Sequence, residues 1–291
     1  MTIAERFATP GVHMSCEIFP PKAFEKVDEA KLAARAICGL RPAYVSVTYG
    51  ATGKTPRFTL ELSECVQECG VTALSHLTCI NEPKTKVAGV LDDLERAGIG
   101  NILALRGDIP EGTAFPGKDH FKVAAELIAA IKRRGGFCVG AACYPEGHPE
   151  APDRDRDLDF LRMKQDAGAD FLTTQMFFDN NILYQFLYRS LQKGIVIPVS
   201  AGIMPVVNSR QIKRITVLSG ASLPPRFAAI LDRFGGDPGC MKQAGIAYAT
   251  EQIIDLIANG VRHIHLYTMN RPEIAEAIFQ NLGCILDNGH D

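Results

Sequence analysis

Eight short runs of β-branched and small apolar residues recur along the chain, and most are separated by segments with helical periodicity. The runs span residues 14–19, 44–49, 72–78, 101–106, 138–144, 171–177, 197–204 and 263–268. Strands that alternate with helices pair in parallel through right-handed crossovers. Eight such units predict an α/β fold of one kind, a closed (β/α)8 TIM barrel.

The segments between the runs complete this pattern. Amphipathic helices are predicted over residues 25–40, 59–68, 84–97, 121–134, 157–167, 182–193 and 209–218. An irregular stretch, 224–239, and a helix over 241–258 form an insertion between strands seven and eight. No linker marks a second domain, so residues 1–291 are predicted to form a single barrel domain. A doubly wound open sheet is the alternative, but no strand leads into a G-x-G-x-x-G turn.

The composition favours small molecules as ligands. The 31 basic and 33 acidic residues give a net charge of -2, which provides no reason to expect nucleic acid or an anionic membrane as partner. The N-terminus has no apolar signal region, and no segment approaches about 18 uncharged apolar residues, so a soluble, cytoplasmic protein is expected.

Nine cysteines without a C-x-x-C pair argue against a disulfide framework and a structural zinc site.

The first run carries one carboxylate in apolar surroundings. Alternation along a strand puts Ser15, Glu17 and Phe19 on one face and Cys16 and Ile18 on the other. The C-terminal end of the first strand is where a barrel would hold a catalytic acid, with its pKa raised by apolar neighbours. The alternative for Glu17 is an inward-facing carboxylate paired with a buried Arg or Lys.

The ends of the other predicted strands are also polar. They carry Thr48-Tyr49-Gly50, His76-Leu77-Thr78, Arg106-Gly107-Asp108, Tyr144-Pro145-Glu146-Gly147-His148, Thr174-Gln175, Met204-Pro205 and Tyr267-Thr268-Met269-Asn270-Arg271. In a barrel the C-terminal ends of the strands form the active site, so these residues are expected to lie on one rim.

Several chemistries are disfavoured by the motifs. The chain has no G-x-S-x-G, H-E-x-x-H or G-x-x-x-x-G-K-[ST] motif. A divalent metal on His76 and His148 with Glu17 or Asp108 would suggest an aldolase or hydrolase. Arg106 on the same rim would repel such a cation, so no metal is predicted.

The order of these motifs carries a family resemblance. The motifs are Cys16-Glu17-Ile18-Phe19-Pro20-Pro21-Lys22, Val45-Ser46-Val47-Thr48-Tyr49-Gly50-Ala51, His76-Leu77-Thr78-Cys79, Ala104-Leu105-Arg106-Gly107-Asp108, Tyr144-Pro145-Glu146-Gly147-His148-Pro149-Glu150, Asp166-Ala167-Gly168-Ala169-Asp170, Thr174-Gln175-Met176-Phe177-Phe178-Asp179 and Tyr267-Thr268-Met269-Asn270-Arg271. Over essentially its whole length the chain resembles the bacterial members of the methylenetetrahydrofolate reductase family, which are flavin-dependent barrels.

The resemblance implies FAD as cofactor, held without a Rossmann fold. The motif positions associated with it are Thr48, Tyr49, Ala51, His76, Arg106, Gly107, Asp108, Ala124, Tyr144, His148, Ala151, Asp157 and Lys164. In this interpretation Arg106, His148 and Lys164 offset the pyrophosphate charge. Gly107 lets the backbone approach the flavin ring, and Asp108 lies by the isoalloxazine and the folate pterin.

The resemblance also implies the reaction and the substrate residues. Glu17 is the expected general acid, which protonates N10 of 5,10-methylenetetrahydrofolate so that the ring opens to a 5-iminium cation. Asp108 is the second expected catalytic residue, since its charge stabilises that cation. NADH or NADPH and the folate use one pocket in turn, which implies ping-pong kinetics. Gln175 and Gln211 match substrate-side positions, and Arg271 is expected to bind the folate glutamate carboxylate as a fork.

The chain departs from the family pattern at two positions. Phe160 and Met163 stand where relatives often offer polar residues to the ADP half of FAD, so the affinity for FAD is expected to differ, unless Arg154, Arg156 or Arg162 substitutes. Nothing resembling the eukaryotic regulatory domain follows the barrel, so feedback by S-adenosylmethionine is not expected. The family implies a homo-oligomer, a dimer or tetramer.

Two other functions stay open on the residues alone. One is a folate-binding methyltransferase barrel with a corrinoid or thiol acceptor. The other is a non-catalytic subunit of a larger folate or electron-transfer complex.

Overall fold

The eight predicted strands form one closed parallel barrel. A computed structural model describes residues 1–21, 23–49, 56–109 and 117–288, apart from the side chains of residues 56, 211, 213, 214, 217, 218, 287 and 288. The strands are β1 His13–Ile18, β2 Val45–Val47, β3 Ala73–Thr78, β4 Asn101–Leu105, β5 Cys138–Cys143, β6 Phe171–Thr174, β7 Val199–Ile203 and β8 His263–Tyr267. They pair in sequence order around the ring. The predicted (β/α)8 barrel is confirmed.

The ring closes between the first and last strands. Cys16 pairs with Val45 of β2 on one side and with Leu266 of β8 on the other. The doubly wound alternative is therefore wrong, because an open sheet would leave β1 and β8 apart. In this register Glu17 has Ser46 and Tyr267 as its two neighbours.

Helices follow most of the strands. They are α1 Ile3–Phe7, α2 Val27–Cys38, α3 Pro56–Glu68, α4 Lys84–Arg96, α5 Ala124–Arg134, α6 Arg154–Asp166, α7 Asn180–Gln192, α8 Ser209–Ser219, α9 Pro225–Phe234, α10 Pro238–Ala258 and α11 Pro272–Asn288, with a 3-10 turn at Phe24–Lys26. Among the helices that begin earlier than predicted, α6 and α7 are capped by aspartates. The Asp153 side chain accepts from the Arg156 amide at α6, and Asp179 accepts from the Asn181 amide at α7.

The insertion between β7 and β8 is helical, so the prediction of an irregular 224–239 stretch was wrong. Pro225 and Pro238 each begin a helix, α9 and α10, at a position where the missing N–H costs no hydrogen bond. Phe227 of α9 stacks on Phe178 at 5.2 Å and packs against Tyr248 at 4.5 Å. The insertion therefore covers the chain that follows β6 and β7.

The N-terminal end of the barrel is filled with apolar side chains. The short helix α1, which was not predicted, buries Ile3 and Phe7 against Tyr44, Leu103 and Phe171. At Gly140 a Cβ atom would lie 2.5 Å from the Phe171 ring, so glycine makes room for that ring. Polar side chains are left for the opposite end, where the strands terminate.

None of the described helices is both long enough and apolar enough to cross a bilayer.

Candidate active site

Glu17 lies at the C-terminal end of β1 between two buried histidines. Its Oε2 atom is 3.6 Å from His76 Nε2 and 3.5 Å from His265 Nε2. The Glu17 side chain is 19% exposed, whereas those of His76 and His265 are 7% and 1% exposed. The alternative of a buried Arg or Lys partner is wrong among the described residues. His265 was not predicted to belong to the site, although it alternates with Tyr267 on a strand that closes the barrel.

The hydrogen bonds of Ser15 orient His265. Ser15 Oγ donates to the Ile264 carbonyl at 3.0 Å and lies 2.8 Å from His265 Nδ1. Because the hydroxyl proton is already committed, Ser15 accepts from Nδ1–H. With Nδ1 bonded to Ser15, the His265 ring turns Nε2 towards the Glu17 carboxyl group. The Ser15 hydroxyl thus fixes the orientation of His265 beside Glu17.

His76 is a neutral neighbour at physiological pH. Its Nε2 atom lies 2.5 Å from Ser46 Oγ. Burial lowers the pKa of His76 to about 4, against the opposing attraction of Glu17. On the other side of Glu17, the Tyr267 hydroxyl donates to the Thr174 carbonyl at 2.6 Å, and burial raises the Tyr267 pKa well above its ordinary value. Glu17 thus borders groups that carry no permanent charge.

A second polar cluster joins the ends of β4 and β5 to α6. The Tyr144 and His148 rings meet edge to face with centroids 4.6 Å apart. Lys164 Nζ donates to the Ala142 carbonyl at 2.8 Å, and burial lowers its pKa. The pKa of Asp157 is raised by burial, against the attraction of Lys164. The fold therefore brings together residues that the sequence had assigned to one cofactor.

Arg106 already binds a carboxylate. Its two terminal nitrogens donate to Glu150 Oε2 at 2.5 Å and Oε1 at 2.7 Å. This hydrogen bonding lowers the pKa of Glu150. The Glu150 amide in turn donates to His148 Nδ1 at 3.0 Å. Sequence reasoning missed Glu150, whose side chain shows that the Arg106 fork is accessible to a bidentate anion.

Gly107 is required by the conformation and close packing of the backbone. Its φ angle is +87°, and a Cβ atom there would lie 3.0 Å from Thr78 Cβ. The next residue, Asp108, is exposed, and its backbone carbonyl accepts from the Asn81 amide at 2.8 Å. The charge of Asp108 raises the pKa of both Arg106 and Tyr144, in each case behind larger causes. Asp108 therefore lies beside the second cluster.

The remaining predicted cofactor residues lie in different environments. Thr48 and Ala151 are half-buried, and Ala124 is the buried first residue of α5. Tyr49 is buried in the core between strands and helices, where burial raises its pKa to about 12. Ala51 lies outside the described residues.

The predicted substrate residues follow β6 and β8. Gln175 is half-buried, and its Oε1 accepts from the Met176 amide at 2.9 Å. Arg271 is half-buried, and its Nε donates to Glu273 at 3.0 Å. Gln211 lies in α8, but its side chain is outside the described part of the chain.

Asn270 ties Arg271 to the first strand. Its side chain accepts from the Phe19 amide at 2.9 Å and donates to the Phe19 carbonyl at 2.8 Å. Thr268 Oγ1 donates to the Glu17 carbonyl at 2.6 Å. These bonds hold the segment after β8 against the end of β1, so Arg271 lies on the same rim as Glu17.

Phe160 and Met163 are exposed on α6, by 48% and 52%. Arg162, one of the basic residues expected to substitute for them, is engaged elsewhere. It pairs with Asp166 at 2.8 Å and donates to the Gly194 carbonyl at 3.1 Å.

In the described ranges no group of three or more His, Cys, Asp or Glu residues is arranged to hold a metal ion.

Comparisons with known proteins agree on one family. A family model described as methylenetetrahydrofolate reductase matches residues 2–283. The 5,10-methylenetetrahydrofolate reductase of Pectobacterium carotovorum is 34% identical over 94% of this chain and 90% of its own length. The Escherichia coli enzyme of the same name is 34% identical over 94% of this chain and 91% of its own length.

A plant relative and a solved structure were also matched. Methylenetetrahydrofolate reductase (NADH) 1 of Zea mays is 35% identical over 93% of this chain, which spans 48% of that relative. A solved structure is described as an uncharacterized protein from Clostridium thermocellum that binds two copies of 5-methyl-5,6,7,8-tetrahydrofolic acid. It superposes with a TM-score of 0.63 at 14% identity, covering 97% of each chain, and shows a shared fold.

Proposed function

The chain belongs to the methylenetetrahydrofolate reductase family, and from this premise we propose that it reduces 5,10-methylenetetrahydrofolate to 5-methyltetrahydrofolate with FAD as cofactor and NADH or NADPH as electron donor. The observation that carries the proposal is Glu17 at the C-terminal end of β1, between His76 and His265. A carboxyl group held there can deliver a proton to a substrate seated on the rim.

Glu17 is the proposed general acid for opening the folate ring. Protonation of N10 makes that nitrogen a leaving group and leaves a cationic 5-iminium carbon that accepts hydride. His265 supports this role, because its Nε2 lone pair faces Glu17 while Ser15 holds Nδ1–H. The pair can hold one proton near the substrate. After transfer that proton stays on N10 of the product, and Glu17 takes a new proton from solvent. The neutral His76 adds no positive charge beside Glu17.

The second cluster fits the phosphate end of FAD. Lys164 is a buried ammonium group with one backbone acceptor, and Arg106 already binds a bidentate anion through Glu150. An anion at this point would compensate the burial that lowers the Lys164 pKa. Arg106, His148 and Lys164 would hold the pyrophosphate, with Tyr144 packed beside it. When bound, FAD supplies a ring that accepts hydride from the pyridine nucleotide and donates hydride to the folate.

Asp108 and Arg271 are proposed to bind the folate at its two ends. Asp108, an exposed carboxylate beside Tyr144, would stabilise the positive charge that develops on the pterin side. Arg271 would bind the glutamate carboxylate, in competition with its present partner Glu273. Gln175, which follows β6, offers a half-buried amide to the substrate.

The visible absorption spectrum of the purified protein tests the proposal. Under anaerobic conditions, flavin bands should bleach when NADH or NADPH is added and return when 5,10-methylenetetrahydrofolate is added. Absence of flavin, even after FAD is supplied, would overturn the proposal. A colourless protein that still binds folate would favour a methyltransferase barrel.

A further inference from the structure

Both edges of the Arg106 guanidinium group that can bind an anion in bidentate fashion are in use. One edge is formed by the two terminal nitrogens, the other by Nε and a terminal nitrogen. Glu150 occupies the first edge, accepting from Nη1 at 2.5 Å and from Nη2 at 2.7 Å. The Gly107 carbonyl accepts from Nε at 3.1 Å. A phosphate group therefore gains a bidentate pair with Arg106 only if one of these two acceptors leaves.

Glu150 is the acceptor that can leave. The Gly107 carbonyl belongs to a segment of backbone that is held at a φ angle of +87° and packed against Thr78. The Glu150 side chain is 60% exposed, whereas that of Arg106 is 24% exposed. Glu150 can therefore rotate into water while Arg106 stays on the rim.

The loop that carries Glu150 is held by bonds that do not involve its carboxylate. The Glu150 amide donates to His148 Nδ1 at 3.0 Å. At the two ends of the loop, Glu146 accepts from the Ser222 amide at 2.8 Å, and the Asp153 side chain caps α6. Release of the Glu150 carboxylate therefore leaves the loop and its histidine in place.

The charge of Glu150 also opposes an anion at Arg106. Hydrogen bonding to Arg106 lowers the Glu150 pKa, so this carboxylate is ionised at neutral pH. A phosphate group on Arg106 would lie beside a second negative charge unless Glu150 moved away. Breaking the Arg106–Glu150 pair and the repulsion between the two anions both reduce the affinity for a phosphate group.

We propose that Glu150 is a latch on Arg106, which must open before the pyrophosphate of FAD binds there, so that the Arg106–Glu150 pair limits how tightly the protein holds its cofactor. This inference rests on the proposed function, because it takes FAD as the source of the phosphate groups. Removal of the Glu150 charge should accordingly tighten the binding of FAD.

The opposite role for Glu150 is that of a support, which keeps Arg106 oriented for the cofactor. The pair would then persist when FAD is bound, and its loss would weaken the binding of FAD. The two roles therefore differ in the sign of one measured change. The occupied edges of Arg106 favour the latch, since a persisting pair would leave the pyrophosphate no bidentate edge.

The test measures the release of FAD from the holoenzyme on dilution, followed by the rise in flavin fluorescence. Glu150→Gln keeps the size of the side chain and removes its charge. It should lower the dissociation constant of FAD by about three- to fivefold, the upper end of the effect expected of a partly exposed charge pair. Glu251→Gln is the matched control, because Glu251 binds Arg226 of the insertion with both carboxylate oxygens, and it should leave the release of FAD unchanged.

Two further variants test whether the effect passes through Arg106. Arg106→Gln should weaken the binding of FAD. Adding Glu150→Gln to this variant should leave its dissociation constant unchanged, because the group that Glu150 blocks is already missing. An equal gain with and without Arg106 would show that Glu150 acts on the phosphate groups by charge alone, and would overturn the latch.

An unchanged dissociation constant for Glu150→Gln would also overturn the inference, and a higher one would assign Glu150 the supporting role. Tighter binding of NADH with unchanged release of FAD would assign Arg106 to the pyrophosphate of the nucleotide and would contradict the latch on FAD. Wild-type protein that holds no flavin, even after FAD is supplied, would instead disprove the proposed function.

Discussion

At the scale of single residues, Glu17 is distinguished by the kind of partner it has. Buried carboxylates are usually paired with permanent cations. Glu17 instead meets His76, which burial keeps neutral, and His265, whose proton is directed by Ser15. Glu17 therefore has no permanent cation beside it in the described part of the chain, an arrangement suited to a group that must give up a proton.

Replacing Glu17 with Gln should separate the two halves of the reaction. The amide keeps the shape of the side chain but has no acidic proton to deliver. Folate reduction should slow by about 10²- to 10⁴-fold, while bleaching of the flavin by NADH stays nearly as fast as in wild type. Stopped-flow absorbance measures both rates. Full folate turnover by this variant would show that Glu17 is not the acid.

Ser15 is predicted to act as a positioning residue through His265. In Ser15→Ala the Nδ1–H of His265 loses its acceptor, so the ring can adopt the other tautomer. The folate half-reaction should slow by about tenfold, and its pH profile should shift, since the tautomer controls proton sharing with Glu17. Ser63→Ala is the matched control, because Ser63 is also buried but bonds to Thr59 within α3. A pH profile identical to wild type would contradict this role.

At the scale of elements, close backbone contacts seat the helices on the barrel. Gly245 of α10 lies so near the segment after β7 that a Cβ atom would fall 2.0 Å from the Val206 carbonyl oxygen. In β7, a Cβ atom on Gly202 would lie 2.5 Å from the Thr174 carbonyl oxygen. Glycine at these positions sets how closely α10 and β7 approach their neighbours.

Gly245→Ala should therefore destabilise the protein, although alanine is the better helix former. The added methyl group meets backbone atoms that cannot rotate away, and overpacking of this kind costs about 1–3 kcal/mol. Gly89→Ala in α4 is the control, because its Cβ atom would meet nothing within 4 Å. That variant should gain about 0.5–1 kcal/mol. Urea unfolding measures the change in the free energy of unfolding for each variant. Changes of the same sign in both variants would refute the packing interpretation.

At the scale of the whole molecule, the barrel has a polar end for chemistry and an end sealed by aromatic rings. At the sealed end His13 Nδ1 and His263 Nδ1 lie 3.2 Å apart, and Phe7 stacks on His263 at 3.9 Å. Burial lowers the pKa of both histidines, with Arg6 and Arg262 adding to the effect on His13. The pKa of His263 falls to about 3.

These histidines predict acid lability of the whole fold. They are neutral in the folded protein, whereas in the unfolded chain they bind protons below their ordinary pKa of about 6.5. Their contribution is thus complete above pH 6.5 and is lost as the pH falls from 6.5 towards 3, by up to about 1.4 kcal/mol per pH unit for each group.

Urea unfolding between pH 7 and pH 4.5 measures the slope of the free energy of unfolding against pH. His263→Leu should flatten the slope, whatever its effect on stability at pH 7, since one titrating group is removed and His13 loses its neighbour. A slope equal to that of wild type would show that other groups control the acid transition.

Much of the architecture follows from the sequence because its signals are local. Alternating strand and helix periods predicted eight units, and the polar strand ends predicted the rim that carries Glu17, Arg106 and Tyr144. The starts of α6 and α7 depended on capping by Asp153 and Asp179, a local signal that the periodicity alone had missed.

The partners of those residues depended on tertiary structure. Ser15 and His265 are 250 positions apart and meet only because β1 pairs with β8. Glu150 reaches Arg106 from 44 positions away. Periodicity is a property of a few neighbouring residues, whereas the register between the first and last strands is set by closure of the entire sheet. The sequence by itself therefore determined the barrel and the position of Glu17 on its rim, and only the closed barrel decided which histidines lie beside that carboxyl group.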